Sequence, residues 1–133
     1  MPKLGKKSLS RLNGVDSRLQ ALCHAVVKDF DITVIEGLRS LETQKKYVKE
    51  GKSKTLKSKH LKGRAIDIAP YPVDWDNLAR FYYLAGMMRA YAWSMGFKIK
   101  WGGDWDEDHQ FGTRGKYTGK ETFKDLVHFE ILV

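Results

Sequence analysis

Apolar residues recur along the chain at intervals that separate helices from strands. In residues 15–30, Val15, Leu19, Leu22, Val26 and Val27 return every three to four positions, the spacing that lines one face of an α-helix. Asp16 and Ser17 stand where a helix start needs an acceptor for its free N–H groups, so the first helix is expected to begin near residue 16. In "DITVIEGLR", Ile32 and Val34 alternate beside a β-branched neighbour, which predicts a strand ending near Gly37. Ser40 then caps a short predicted helix running to Glu50, with Gly51 as its stop. A polar, lysine-rich loop over residues 52–59 leads to "RAIDIAP", a short strand ended by Pro70. The longest predicted helix spans residues 75–95, with Asp74 as its cap and Gly96 after it. Leu78, Phe81, Tyr82, Ala85, Met88 and Ala92 share one face of it. In so small a chain that face belongs to the core rather than to a membrane or a partner. "FKIKW" and "VHFEI" read as two more strands, separated by a glycine- and acid-rich loop over residues 101–122. Strands do not alternate regularly with helices, so the pattern favours an α+β fold over a parallel wound sheet.

Composition narrows the setting. A chain of 133 residues holds one domain with a single core. No apolar run approaches the roughly 18 residues of a membrane-spanning helix; the best, residues 81–88, is eight long. The first fifteen residues are basic without a continuous apolar stretch and do not read as a signal peptide, so synthesis in a cytoplasm is expected. Cys23 is the only cysteine, which excludes an intrachain disulfide, and its apolar helical setting reads as a buried, inert thiol. The net charge of +8 favours an anionic partner: nucleic acid, a membrane surface or an acidic polymer such as cell wall. The lysines gather over residues 3–7 and 45–62 without the interleaved aromatics of a base-stacking surface. A solvated basic face accounts for them equally well.

Two of the predicted strands carry chemistry on one face. In residues 64–69, Ile66 and Ile68 face the core, which turns Asp67 to the opposite side between the small residues Ala65 and Ala69. A carboxylate there needs a counter-charge, a basic side chain or a metal. His60 lies just before this strand, and Gly63 between them permits a tight approach. The last strand repeats the arrangement, with Phe129 and Ile131 on one side, His128 and Glu130 on the other, and Asp125 three residues before His128. Two histidines and a carboxylate with a fourth position open to water make a common catalytic zinc arrangement. Zinc lowers the pKa of its water to roughly 7, and Asp125 is placed to take the proton. A structural role for either histidine alone is the competing reading.

The motif Ser58, His60, Gly63, Ala65, Asp67 resembles the zinc-binding motif of the D-Ala-D-Ala carboxypeptidase and L-alanyl-D-glutamate peptidase family. The ending from Asp125 to Glu130, D-x2-H-F-E, is similar to that family's second motif. "LGKKSLSRLNGV", "EGLRS" with Gln44, and "KWGGDW" resemble further segments of its phage endolysin branch, so the resemblance spans nearly the whole chain. It implies a small antiparallel sheet flanked by helices, as in the hedgehog and D,D-peptidase folds, with one zinc ion per chain on one face of the sheet. His60, Asp67 and His128 would bind the metal, and Asp125 would be the general base that later protonates the leaving amine. Arg39, which by itself would read as a surface salt bridge, would stabilise the oxyanion. Ser58 and Gln44 would support the site or the substrate. Trp101 and Asp104 would shape the cleft, although Trp101 fits the core equally well. Carboxypeptidase members often carry Glu at the position of Asp125, and the shorter acid resembles the endopeptidase branch.

The resemblance therefore implies a zinc metallopeptidase of peptidoglycan stem peptides, cutting the L-Ala-D-Glu bond as a phage endolysin in host-cell lysis. A monomer without a separate cell-wall-binding domain over residues 1–133 is expected. It would not insert stably in a membrane or bind nucleic acid, and would reach the periplasmic wall after a holin or another factor permeabilises the membrane. A D-alanyl-D-alanine carboxypeptidase with the same site and a non-catalytic wall-binding module are the alternatives. Asp104, Asp106, Glu107, Asp108 and His109 read either as a solvated acidic loop or as a second site for a hard cation.

Overall fold

The computed structural model describes residues 2–53, 55–105, 107, 109 and 125–132. Among them, β1 (Ile32–Glu36), β2 (Ala65–Pro70), β3 (Lys98–Trp101) and β4 (His128–Leu132) form one sheet in the order β1-β2-β4-β3, antiparallel throughout. Helices α1 (Lys6–Arg11), α2 (Ser17–Val27), α3 (Leu41–Lys49) and α4 (Leu78–Ser94) surround it, and a 3-10 turn, Lys59–Lys62, precedes β2. The α+β expectation holds, with the antiparallel sheet and flanking helices that the resemblance implies.

Register sorts the two faces of the sheet. Val34 pairs with Ile68, Ile66 with Phe129, Ile99 with Ile131 and Trp101 with Phe129. These rows face α2 and α4 and close over Leu19, Leu22, Val26, Leu84 and Met88 as one buried core. On the other face, Glu36 pairs with Asp67 and Asp67 with His128, while Glu130 stands between Ala65 and Lys100. One face thus contributes stability through apolar burial, and the other collects titratable groups in adjacent rows.

Two boundaries depart from the pattern reading. A helix precedes residue 16: α1 lies along β1, the edge of the sheet. Ser8 Oγ accepts from the Val34 N–H at 2.9 Å and Arg11 Nη1 donates to the Val34 carbonyl at 2.9 Å. An open strand edge leaves such groups unpaired, so this helix forms because side chains on it satisfy β1, which apolar periodicity does not register. At α4, Asp74 is not the cap. Its carboxylate accepts from Asp76 N–H at 3.0 Å and closes a local turn, and the helix begins after Asn77. Leu78 is exposed, and Leu84 joins Phe81, Ala85, Met88 and Ala92 in the buried face of the helix. The remaining caps follow expectation: Asp16 accepts from Arg18 N–H at α2 and Ser40 from Thr43 N–H at α3. The expected loop over residues 101–122 lies largely outside the described residues.

Candidate metal centre

His60 is delivered by the 3-10 turn. Ser58 caps that turn by accepting from His60 N–H at 3.2 Å, and Gly63 ends it with φ of +68°, a left-handed conformation that favours glycine. A side chain there would also meet the Gly14 carbonyl at 2.4 Å. The turn and β2 together bring His60 Nε2 to 3.1 Å from Asp67 Oδ1, while His60 Nδ1 lies 2.8 Å from the Gly37 carbonyl. A carbonyl only accepts, so Nδ1 carries the hydrogen and Nε2 is the nitrogen turned towards Asp67. His128 enters from the neighbouring strand, Nδ1 at 3.5 Å from the same Asp67 oxygen and Nε2 at 2.9 Å from Glu130 Oε1. Lys59 Nζ in turn holds Glu130 at 2.9 Å. Among the described residues these three side chains form a group able to hold a metal ion, with donor atoms all within 4.8 Å of one another.

The donor chemistry fits zinc. Each histidine presents one ring nitrogen to a shared point beside Asp67 and has its other nitrogen tied to an acceptor, the outer-shell arrangement that orients metal-binding imidazoles. Two histidines and one aspartate leave a fourth position of a tetrahedral site for water or substrate. The residues expected from the sequence to bind metal are thus brought together in one place.

Charge in the cluster is arranged around Asp67. Burial works to raise its pKa, but hydrogen bonds from His128 and His60 prevail and hold it well below the usual carboxylate range. For His128, burial works downward, yet the bonds to Asp67 and Glu130 raise it to about 9. Glu130 is likewise opposed by burial and lowered to about 2 by His128 and Lys59. Asp125 moves the other way: burial, then the negative charge of Asp67, raise it above an ordinary aspartate. That places it closer to the range useful to a general base.

These groups line one open cleft of about 480 Å³, which also includes Arg39, Ser58 and Asp125. Gln44 is fully buried behind it, accepting from Arg39 Nη1 at 2.6 Å and donating to Ser53 Oγ at 2.9 Å. Trp101 and Asp104 lie elsewhere. Trp101 sits on the core face, its ring edge-on to Tyr82 and its Nε1 donating to the Leu126 carbonyl at 2.8 Å. It lines a separate cavity of about 240 Å³ with Asp104, which accepts from His109 Nδ1 at 2.7 Å. Asp106 and Asp108 of the acidic stretch lie outside the described residues.

Sequence reading did not single out Glu36, Tyr47, Lys59 or Trp105, all of which line the cleft. The Trp105 ring packs 5.0 Å from that of His128. "KWGGDW" holds Trp105, and its position two residues beyond Gly103 was the available signal.

Comparison with known proteins agrees with the geometry. The model of the phage L-alanyl-D-glutamate peptidase family matches residues 1–132. The chain is 30% identical over 128 residues to the L-alanyl-D-glutamate peptidase of Escherichia phage T5, over 88% of this chain and 93% of that one. The crystal structure of the L-Ala D-Glu endopeptidase ChiX of Serratia marcescens superposes with a TM-score of 0.78 at 29% identity, covering 98% of this chain and 90% of that one. The vancomycin-resistance D,D-pentapeptidase VanY, solved in complex with Zn(II), shares the fold at a TM-score of 0.50 and 20% identity, covering 91% and 70% of the two chains.

Proposed function

Because the chain belongs to the phage L-alanyl-D-glutamate peptidase family, we propose that it is a zinc metallopeptidase that hydrolyses the L-Ala-D-Glu bond of peptidoglycan stem peptides. The observation that carries this reading is the meeting of His60, Asp67 and His128 in a cleft that also holds Asp125 and Arg39. A purely structural metal site needs neither an adjacent base nor a fixed cation.

His60, Asp67 and His128 would hold zinc, which would supply Lewis acidity and lower the pKa of water in the cleft to roughly 7. Asp125 takes the proton as the nucleophile attacks the alanyl carbonyl, and returns it to the departing amine of the glutamyl residue. Arg39 faces the developing oxyanion with its guanidinium charge. Glu130, paired with Lys59, keeps His128 oriented. Ser58 holds the turn that presents His60.

The biological reading is a phage endolysin that acts as a monomer with one zinc ion. No helix among the described residues is long and apolar enough to cross a membrane. A holin or equivalent factor would give such an enzyme access to the periplasmic wall, and the +8 charge would favour the anionic polymer. Mass spectrometry of fragments released from purified peptidoglycan tests the assignment. New N-terminal D-Glu and C-terminal L-Ala are expected. Release of D-Ala alone would replace it with a D,D-carboxypeptidase, and no new terminus would reject a peptidase.

A further inference from the structure

Glu36 reaches the metal face because β1 is irregular. In a regular strand Ile32, Val34 and Glu36 would share a side, and Ile32 and Val34 are buried in the core. The pairing with β2 shifts between Val34, opposite Ile68, and Glu36, opposite Asp67, so that Ile35 is one residue more than β2 matches. A bulge of this kind re-aims side chains. Here it turns a carboxylate out of the core row and into the row of Asp67 and His128.

That carboxylate is fully engaged by two partners. One oxygen accepts from Arg39 Nε, and the other accepts from the Tyr47 hydroxyl at 2.9 Å. The Arg39 guanidinium also lies over the Tyr47 ring, 4.7 Å from its centre, and Nη1 donates to Gln44. Three contacts therefore fix the plane of the guanidinium. Nη2 remains, 3.7 Å from Asp67 Oδ2 and too far for a good hydrogen bond. It lies beside Asp67 without being spent on a hydrogen bond to it.

We infer that Glu36 is a positioning residue for peptide hydrolysis: it clamps Arg39 through Nε so that Nη2 is presented to the oxyanion forming at the scissile carbonyl. Tyr47 sets the carboxylate, and Gln44 closes the other side of the fork. The inference rests on the peptidase reading above, and it gives the bulge in β1 a mechanistic purpose.

A mutant cycle on the zinc-loaded enzyme tests it, with kcat and KM measured on a soluble stem-peptide fragment beside zinc content and Tm. Glu36→Gln keeps the shape and removes the charge. It should retain zinc and lower kcat about tenfold or more, with KM little changed, since one oxyanion donor is worth about 10² to 10³. Glu36→Asp should recover part of that loss. In the Arg39→Ala background Glu36→Gln should cost nothing further, because the residue it positions is gone. Should Glu36→Gln fail to fold, Glu36→Asp carries the same comparison. Unchanged kcat, or losses that multiply in the double variant, would overturn the inference while leaving the peptidase intact. A wild-type enzyme that opens no bond in the fragment would overturn both.

Discussion

At the scale of single residues, the metal ligands should separate from the base. His60→Ala removes a proposed zinc ligand and should abolish both metal content and wall hydrolysis. Asp125→Asn preserves shape and removes only the proposed proton acceptor, so zinc should stay near full occupancy while turnover falls by about 10² to 10⁴. Metal analysis beside hydrolysis decides between the two, and loss of zinc from Asp125→Asn would make that residue a ligand instead. Proton release gives an independent check. In the metal-free protein His128 is raised to about 9, so its protonated form contributes stability fully below about 6.5 that is lost as pH rises through about 9. Zinc needs the neutral ring, whereas Asp67, held low, is already ionised. Each zinc should then displace about one proton from His128 between about pH 6.5 and 9. Affinity measured by chelator competition should rise at least tenfold per pH unit in that window, since the ring proton and, above about pH 7, a proton of the zinc-bound water are both released. Asp67 and His128 were legible because alternation sets Asp67 opposite Ile66 and Ile68, and His128 opposite Phe129 and Ile131. Glu36 was not, because a one-residue bulge reverses the alternation that would have buried it.

At the scale of elements, what periodicity registers is the apolar stripe, and what it misses is an element held by polar contacts. Helix α2 and strands β2 and β4 were readable for that reason. Helix α1 was hidden among lysines because Ser8 and Arg11 secure it to the edge of β1. The start of α4 moved because Asp74 found a partner two residues on rather than at the helix mouth. The segment around Gly102 shows how an element positions chemistry at a distance in sequence. Gly102 N–H donates to the His128 carbonyl at 2.8 Å, and Asp125 N–H donates to the Gly102 carbonyl at 2.9 Å. A Cβ at Gly102 would lie 2.1 Å from the Asp125 carbonyl oxygen, so Gly102→Ala must push the base away from the site. The three atoms nearest that Cβ all belong to Asp125, although the His128 backbone bonds both Gly102 and Asp125. Turnover should fall by at least tenfold, since a displacement of about 1 Å can cost about 10² in rate. Zinc stoichiometry should be preserved, and equal turnover to wild type would show that Asp125 does not depend on this contact.

For the whole molecule, the excess of positive charge acts on encounter rather than on the bond being cut. The metal cleft is itself close to balanced: Lys59 is paired with Glu130, and Arg39 with Glu36. Much of the +8 is therefore carried elsewhere, by exposed lysines at both ends of the basic stretches noted in the sequence. Such charges are screened over about 10 Å at 0.1 M salt and about 3 Å at 1 M. A short soluble stem-peptide fragment meets only the cleft, whereas intact wall presents an extended anionic surface to the entire basic face. Raising ionic strength should thus slow lysis of purified wall steeply, by about tenfold or more, through weaker association. Hydrolysis of the fragment over the same range should change by less than about twofold. Replacing Lys3, Lys6 and Lys7 together with glutamine, away from the cleft, should flatten the salt dependence on wall and leave the fragment rate alone. Parallel salt curves for wall and fragment would place the decisive charges inside the cleft and remove any role for the outer surface in finding the polymer.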